Sequence, residues 1–287
     1  MAIDILQENI RKTKNPTVLA LDLAPELIPD RLLQENTLAG AYRNFSRTVL
    51  ETLRDIVPAV RIQPQCFYVL GAEGVAAMDD ICRYAKELGY YVLLDAMVSL
   101  EGRMAEVYAA SIFGGDAPYD AVTMNGYLGS DIAKPFLPYC KEQKKNLFVM
   151  VKSANRSGRE VQDLISGDRI VHTAVADLVA RWGHGMYGAK GFSEIGMIVG
   201  ATYPDAVARL RQKYERQFFL VTGYGMQGGF AKHVAAAFDA YGRGAAVYSP
   251  RTLLEAWKKD PDRDYAACVL DAAIKMKKDI ARFVTIM

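Results

Sequence analysis

Histidine and cysteine are scarce in this chain, and their scatter excludes much chemistry. The three histidines, His172, His184 and His233, share no spacing with each other or with carboxylates that would hold a metal ion. Each is expected at the surface or at a helix N-terminus. The four cysteines, Cys66, Cys82, Cys140 and Cys268, form no Cys-x-x-Cys pair and have no zinc-ligand spacing. They read as free thiols in a reducing compartment. There is no Gly-x-Ser-x-Gly elbow and no supported Cys/His couple for nucleophilic catalysis. No metal and no cofactor is therefore expected. Neither sign of charge dominates, with 35 basic and 33 acidic residues and a formal charge of +2. That balance gives no reason to expect nucleic acid or a membrane surface as partner. The short basic run Lys275-Met-Lys-Lys278 reads as a solvated helix face. No apolar run approaches the ~18–20 residues needed to span a bilayer. The first residues lack the basic region and apolar core of a signal peptide. A cytoplasmic protein is expected.

What is present is a regular alternation. Short apolar runs fall at Thr17–Asp22, Ala59–Ile62, Tyr90–Asp95, Ala121–Met124, Leu147–Val151, Gly196–Gly200, Phe218–Thr222 and Ala245–Tyr248. Each is rich in Val, Leu or Ile and apolar at successive positions, as strands buried on both faces must be. Amphipathic segments such as Glu73–Leu88, Asp131–Glu142 and Phe230–Ala240 lie between them. Eight βα units in 287 residues fit one closed (β/α)8 TIM barrel, spanning residues 1–287 as a single α/β domain. A helix at Ala2–Lys12 is placed to close the barrel bottom, and a last helix within Pro261–Phe283 packs outside. A doubly wound open sheet is the alternative. It is disfavoured because no Gly-x-Gly-x-x-Gly follows the first strand.

In such a barrel the chemistry sits at the C-terminal ends of the strands. That rule selects Asp22, Arg61, Asp95, Thr123, Asn125, Lys152 and Asn155. For any one of them a helix cap or a loop hydrogen bond is as good an explanation. Two carboxylates with Arg61 and Lys152 converging at one mouth point to a site, because charges gathered at low dielectric perturb each other. A second signal follows strand seven, Gly223-Tyr-Gly225-Met-Gln227-Gly228-Gly229. Glycines let backbone amides approach an anion closely. Ser249-Pro-Arg251 follows strand eight, and a guanidinium there can clamp a phosphate with two parallel hydrogen bonds. The ordinary alternatives are a flexible turn and a surface arginine.

The ordered set of motifs resembles the orotidine 5'-phosphate decarboxylase family, in its longer-chain bacterial branch. The markers are Leu19-Ala-Leu-Asp22, Gly71-Ala-Glu-Gly74, Tyr108-Ala-Ala-Ser-Ile-Phe113, Asn125-Gly-Tyr-Leu-Gly129, Pro135-Phe136, Lys152-Ser-Ala-Asn155, Gly200-Ala-Thr202, Gly225-Met-Gln-Gly-Gly229 and Ser249-Pro-Arg251. The resemblance implies that Asp22 contacts ribose hydroxyls. Arg61 stands where the family has a lysine that meets the sugar, and Asp95 matches the first aspartate of the catalytic Asp-x-Lys-x-x-Asp. Thr123, Asn125 and Asn155 are expected near the substrate, and Gln227, Gly228, Gly229 and Arg251 on its phosphate. A homodimer is implied as well.

The same motif carries the departures. Asp95-Ala-Met-Val-Ser-Leu100 has Met97 for the lysine and Leu100 for the second aspartate, with no gap up to Tyr108. In the family that lysine supplies a proton to the carbon that loses carbon dioxide, and its charge stabilises the carbanion. Methionine has neither. Leu100 and Met104 replace polar groups that reach the partner's site, while Gly126, Ala154 and Arg156 also depart from the pattern. The catalytic candidates that remain are Asp95 and Arg61, expected to pair with each other. Three functions stay open: a binding protein for UMP-like or OMP-like ligands, a weakened or rearranged decarboxylase, and a lyase or other enzyme on a different sugar phosphate.

Overall fold

The computed structural model describes all 287 residues. Eight parallel strands close into a barrel: β1 (Thr17–Leu21), β2 (Ala59–Ile62), β3 (Tyr91–Val98), β4 (Ala121–Asn125), β5 (Asn146–Lys152), β6 (Ile195–Gly200), β7 (Phe219–Thr222) and β8 (Ala245–Tyr248). Neighbours in sequence are neighbours in the barrel, and β1 closes it by pairing with β8 at Thr17–Val247 and Val18–Tyr248. The open-sheet alternative is excluded by that pairing. Seven longer helices are α1 (Ala2–Thr13), α2 (Leu38–Leu53), α3 (Gly71–Glu87), α4 (Gly102–Phe113), α5 (Val171–Trp182), α6 (Pro204–Lys213) and α7 (Tyr265–Ala281). No helix is long and apolar enough to cross a membrane.

The period of two in each strand divides the core in two. One set of side chains packs outward under the helices in a cluster of 60 buried residues. The other points inward, where Val18, Ala59, Leu93, Phe148, Ile198 and Leu220 fill the barrel. Phe148 determines a glycine opposite it, since a Cβ on Gly196 would lie 2.4 Å from the Phe148 ring. The bottom is sealed by α1. Its Ile3, Leu6 and Ile10 recur at helical spacing and join the interior cluster.

Several elements depart from the sequence pattern for local reasons. The segment Asp131–Glu142 is two short helices, Ser130–Ala133 and Leu137–Glu142, because Pro135 has no N–H to continue the ladder. Phe230–Ala240 shrinks to Ala231–Val234 and a 3₁₀ turn, ending where Phe238 turns extended and enters the core. β3 runs three residues past Asp95, through a register shift between Leu94 and Val98. A two-stranded hairpin, Ile165–Ser166 with Arg169–Ile170, lies outside the barrel, its turn carried by Gly167 in the left-handed region. His172 is buried, not at the surface: Nδ1 lies 2.9 Å from the Gln162 carbonyl.

A polar cluster is embedded at the barrel bottom. Tyr91 Oη donates to Asn146 Oδ1 at 2.5 Å, and Asn146 Nδ2 donates to the Glu194 carboxyl. The Ile3 amide of α1 donates to Glu194 Oε2 at 3.4 Å, while Oε1 is buried with no partner. Burial therefore pushes the Glu194 carboxyl from 4.5 up to about 7. A raised carboxyl binds its proton more tightly folded than unfolded, so the stability it contributes is full below about pH 4.5 and is lost as pH rises towards about 7. The displacement corresponds to roughly 3 kcal/mol. Urea midpoints of wild type and Glu194→Gln, compared at pH 5, 6 and 7.5, are expected to separate progressively, with the wild type losing stability relative to the variant. Parallel pH dependence in the two proteins would refute this assignment.

Candidate functional site

The strand ends surround a cavity of about 460 Å³ at the C-terminal face of the barrel. Arg61 and Asp95 are its two least exposed charges. Arg61 Nη2 donates to Asp22 Oδ1 and to Gln63 Oε1, each at 2.6 Å. Its Nε lies 2.6 Å from Asp95 Oδ2 without an aligned hydrogen bond, so that contact is an ion pair only. The expected Asp95–Arg61 pair is thus present. The guanidinium carbon also sits 4.8 Å above the Tyr248 ring. Burial opposes the charge on Arg61, but Asp95 and Asp22 outweigh it and hold its pKa above the ordinary value. Two carboxylates share one guanidinium, so this end of the cavity carries a net negative charge.

Thr123 lies behind the cavity wall. Its Oγ1 donates to Asp95 Oδ1 at 2.6 Å and accepts the Met97 amide at 2.9 Å. It fixes the carboxylate and the adjoining backbone together. Met97 adopts φ +44°, a left-handed conformation uncommon outside glycine, at the irregular end of β3. Its side chain lines the cavity beside Met150, Ala154 and Ile198. The wall beyond Asp95 is therefore apolar.

Other strand-end residues go elsewhere. Lys152 does not converge on the mouth. It is fully buried, donates to Asp163 at 2.6 Å and sits 4.2 Å over the Tyr203 ring. The cause is a register shift between Met150 and Lys152 against β6, which breaks the inward alternation of β5. Asn125 lies outside the cavity lining and accepts the Tyr127 amide at 3.1 Å, capping a short 3₁₀ turn. Asn155 does line the cavity, with Nδ2 donating to Ser157 Oγ at 2.8 Å.

At the opposite end, the loop after β7 is organised by its own hydrogen bonds. The Gly225 amide donates to the Gly229 carbonyl, Gly228 to Gly225 and Gly229 to Gly223, at 2.8, 2.8 and 2.9 Å. The amides of Gly228 and Gly229 are thus engaged within the loop. These glycines shape it: Gly228 has φ +93°, and a Cβ on Gly229 would lie 2.5 Å from the Gly223 carbonyl oxygen. Gln227 and Arg251 face the cavity. Ser249 Oγ accepts the Ala20 amide at 2.9 Å and anchors the start of the Arg251 loop to β1. Arg251 Nη2 donates to Glu26 Oε1 at 2.7 Å, while its buried Nε makes no hydrogen bond and lies 3.8 Å from Glu255 Oε1.

Sequence reasoning missed Met150, Ile198 and Tyr248 as lining residues. Inward parity at a strand end, or two residues before it, was the available signal. Glu26 gave none, because its partner lies 225 residues away.

No family model matches the chain. The orotidine 5'-phosphate decarboxylase of Clostridium kluyveri is 30% identical over 286 residues, covering 98% of both chains. That of Rhodopirellula baltica is 32% identical over 267 residues, covering 89% of this chain and 88% of its own. Among solved structures, Leishmania donovani OMP decarboxylase superposes with a TM-score of 0.78 at 28% identity, covering 98% of each chain. Near-full-length similarity of this kind, on the same closed barrel, places the chain in the orotidine 5'-phosphate decarboxylase family.

Proposed function

We propose that this barrel binds a phosphorylated pyrimidine nucleotide, and that decarboxylation of orotidine 5'-monophosphate is lost or strongly weakened. The observation that carries this reading is the state of the cations. Only Arg61 and Arg251 bring positive charge to the cavity lining, and Arg61 is already held by two carboxylates. A carbanion forming beside Asp95 would meet a carboxylate and the thioether of Met97, with no free cation to stabilise it. Losing the proton donor alone typically lowers the rate by ~10²–10⁴-fold. In this reading Asp22 and Asn155 meet the ribose end, with Gln227 and Arg251 at the phosphate. Thr123 acts through Asp95, and Asn125 through the loop it caps. Gly228 and Gly229 act by holding the loop shape.

Orotidine 5'-monophosphate turnover, measured at high protein concentration with material from a host lacking its own decarboxylase, is expected to be absent or lower than that of intact relatives by at least this factor. Turnover near that of the relatives, abolished by Arg251→Ala, would overturn the proposal. Met97→Lys combined with Leu100→Asp is expected to raise the rate.

Glu26 occupies the guanidinium that a phosphate needs. An exposed pair of this kind holds its side chains only weakly. Glu26→Gln is therefore expected to tighten UMP binding a few-fold at most by calorimetry, and Arg251→Ala to weaken it. Weaker binding in Glu26→Gln would show that Glu26 serves the ligand directly.

Part of the proposal is a homodimer. Leu100, Met104 and Val107 are all exposed beside the altered motif, the last two on one face of α4. Burying such side chains contributes ~1.5–3 kcal/mol each. Met104→Glu with Val107→Glu is expected to raise a dimer dissociation constant by roughly 10²-fold or more. Unchanged mass by light scattering on dilution of that variant would remove this face from the interface.

A further inference from the structure

The basic run near the C-terminus divides in the folded chain. Lys277 Nζ donates to the Thr13 carbonyl at 2.7 Å and leaves the solvent face. Lys275 and Lys278 are exposed on α7, where they line a second cleft of about 530 Å³ together with Lys259 and Arg282. No carboxylate lies within ion-pair distance of Lys259, Lys275 or Lys278; the neighbouring Lys258 takes Glu255 instead. Asp279 is the single acid in the lining. It is already engaged, accepting from Tyr224 Oη at 2.7 Å and lying 3.7 Å from Arg282. Four cations thus face one occupied carboxylate.

The far wall of this cleft is the glycine loop after β7. Phe230 stands there with 62% of its surface exposed, its ring edge-on to His233 at a centroid distance of 5.3 Å. A large exposed aromatic beside unpaired cations is a platform for a planar base. The volume suits a small molecule and is too small for a polymer track. Tyr224 and Pro250 line this cleft on one side and the barrel-mouth cavity on the other.

We propose that this cleft is a second anion site, separate from the mouth, that takes a nucleoside polyphosphate. The phosphates lie among Lys259, Lys275 and Lys278, and the base stacks on Phe230. A polyphosphate is favoured over a monophosphate because several dispersed lysines with no fixed fork attract charge in proportion to its amount.

The test is calorimetric titration with inorganic tripolyphosphate and with ATP at low salt, using wild type, Arg251→Ala, Lys275→Ala with Lys278→Ala, and Phe230→Ala. Wild type and Arg251→Ala are expected to bind both probes alike. The lysine pair is expected to weaken both at least about tenfold and to leave UMP binding unchanged. ATP is expected to bind more tightly than tripolyphosphate, with that advantage lost in Phe230→Ala. No binding by wild type, undiminished binding by the lysine pair, or loss in Arg251→Ala with retention in the lysine pair would each overturn the proposal. Failure of UMP binding alone would count against the mouth reading and leave the cleft standing.

Discussion

The buried guanidinium of Arg61 is the constraint on which the barrel mouth depends. It joins Asp22 from the end of β1 to Asp95 from β3, and Thr123 from β4 extends the network to the backbone of Met97. Removing one member of a buried pair typically costs ~3–5 kcal/mol, because the remaining charge is left without a partner. The same arrangement governs the chemistry. A cation committed to two carboxylates has little left to offer a developing negative charge.

Two backbone irregularities decide which side chains reach the cavity. At the end of β3 the register shifts and Met97 takes a left-handed conformation, and the position where the resemblance places a lysine still faces inward. At the end of β5 another shift removes Lys152 from the interior and hands it to Asp163. The first keeps position 97 on the cavity wall, where the uncharged thioether of Met97 now stands. The other end of the cavity is held by different contacts. The loop glycines bond among themselves, and Arg251 is held in place by Glu26.

The barrel's opposite end is built on other terms. Glu194 is buried beneath α1 with one oxygen unpartnered, and that burial raises its carboxyl to about 7. This places pH sensitivity far from the mouth, where it acts on the seal between α1 and the interior.

The fold itself was determined by local pattern. Eight doubly buried apolar runs, separated by amphipathic segments, leave few arrangements other than a closed parallel barrel, because every strand needs cover on both faces. Strand-end position then identified Asp22, Arg61 and Asp95, and the motif order identified the family. The tertiary structure alone decided the fate of Lys152, the capping role of Asn125, the internal bonding of Gly228 and Gly229, and the capture of Arg251 by Glu26. The first turns on a register shift and the last on a contact between distant segments, while Asn125 and the loop glycines are settled by local backbone geometry. Such features change which way a side chain points without changing the hydrophobic pattern, so the pattern carries no trace of them.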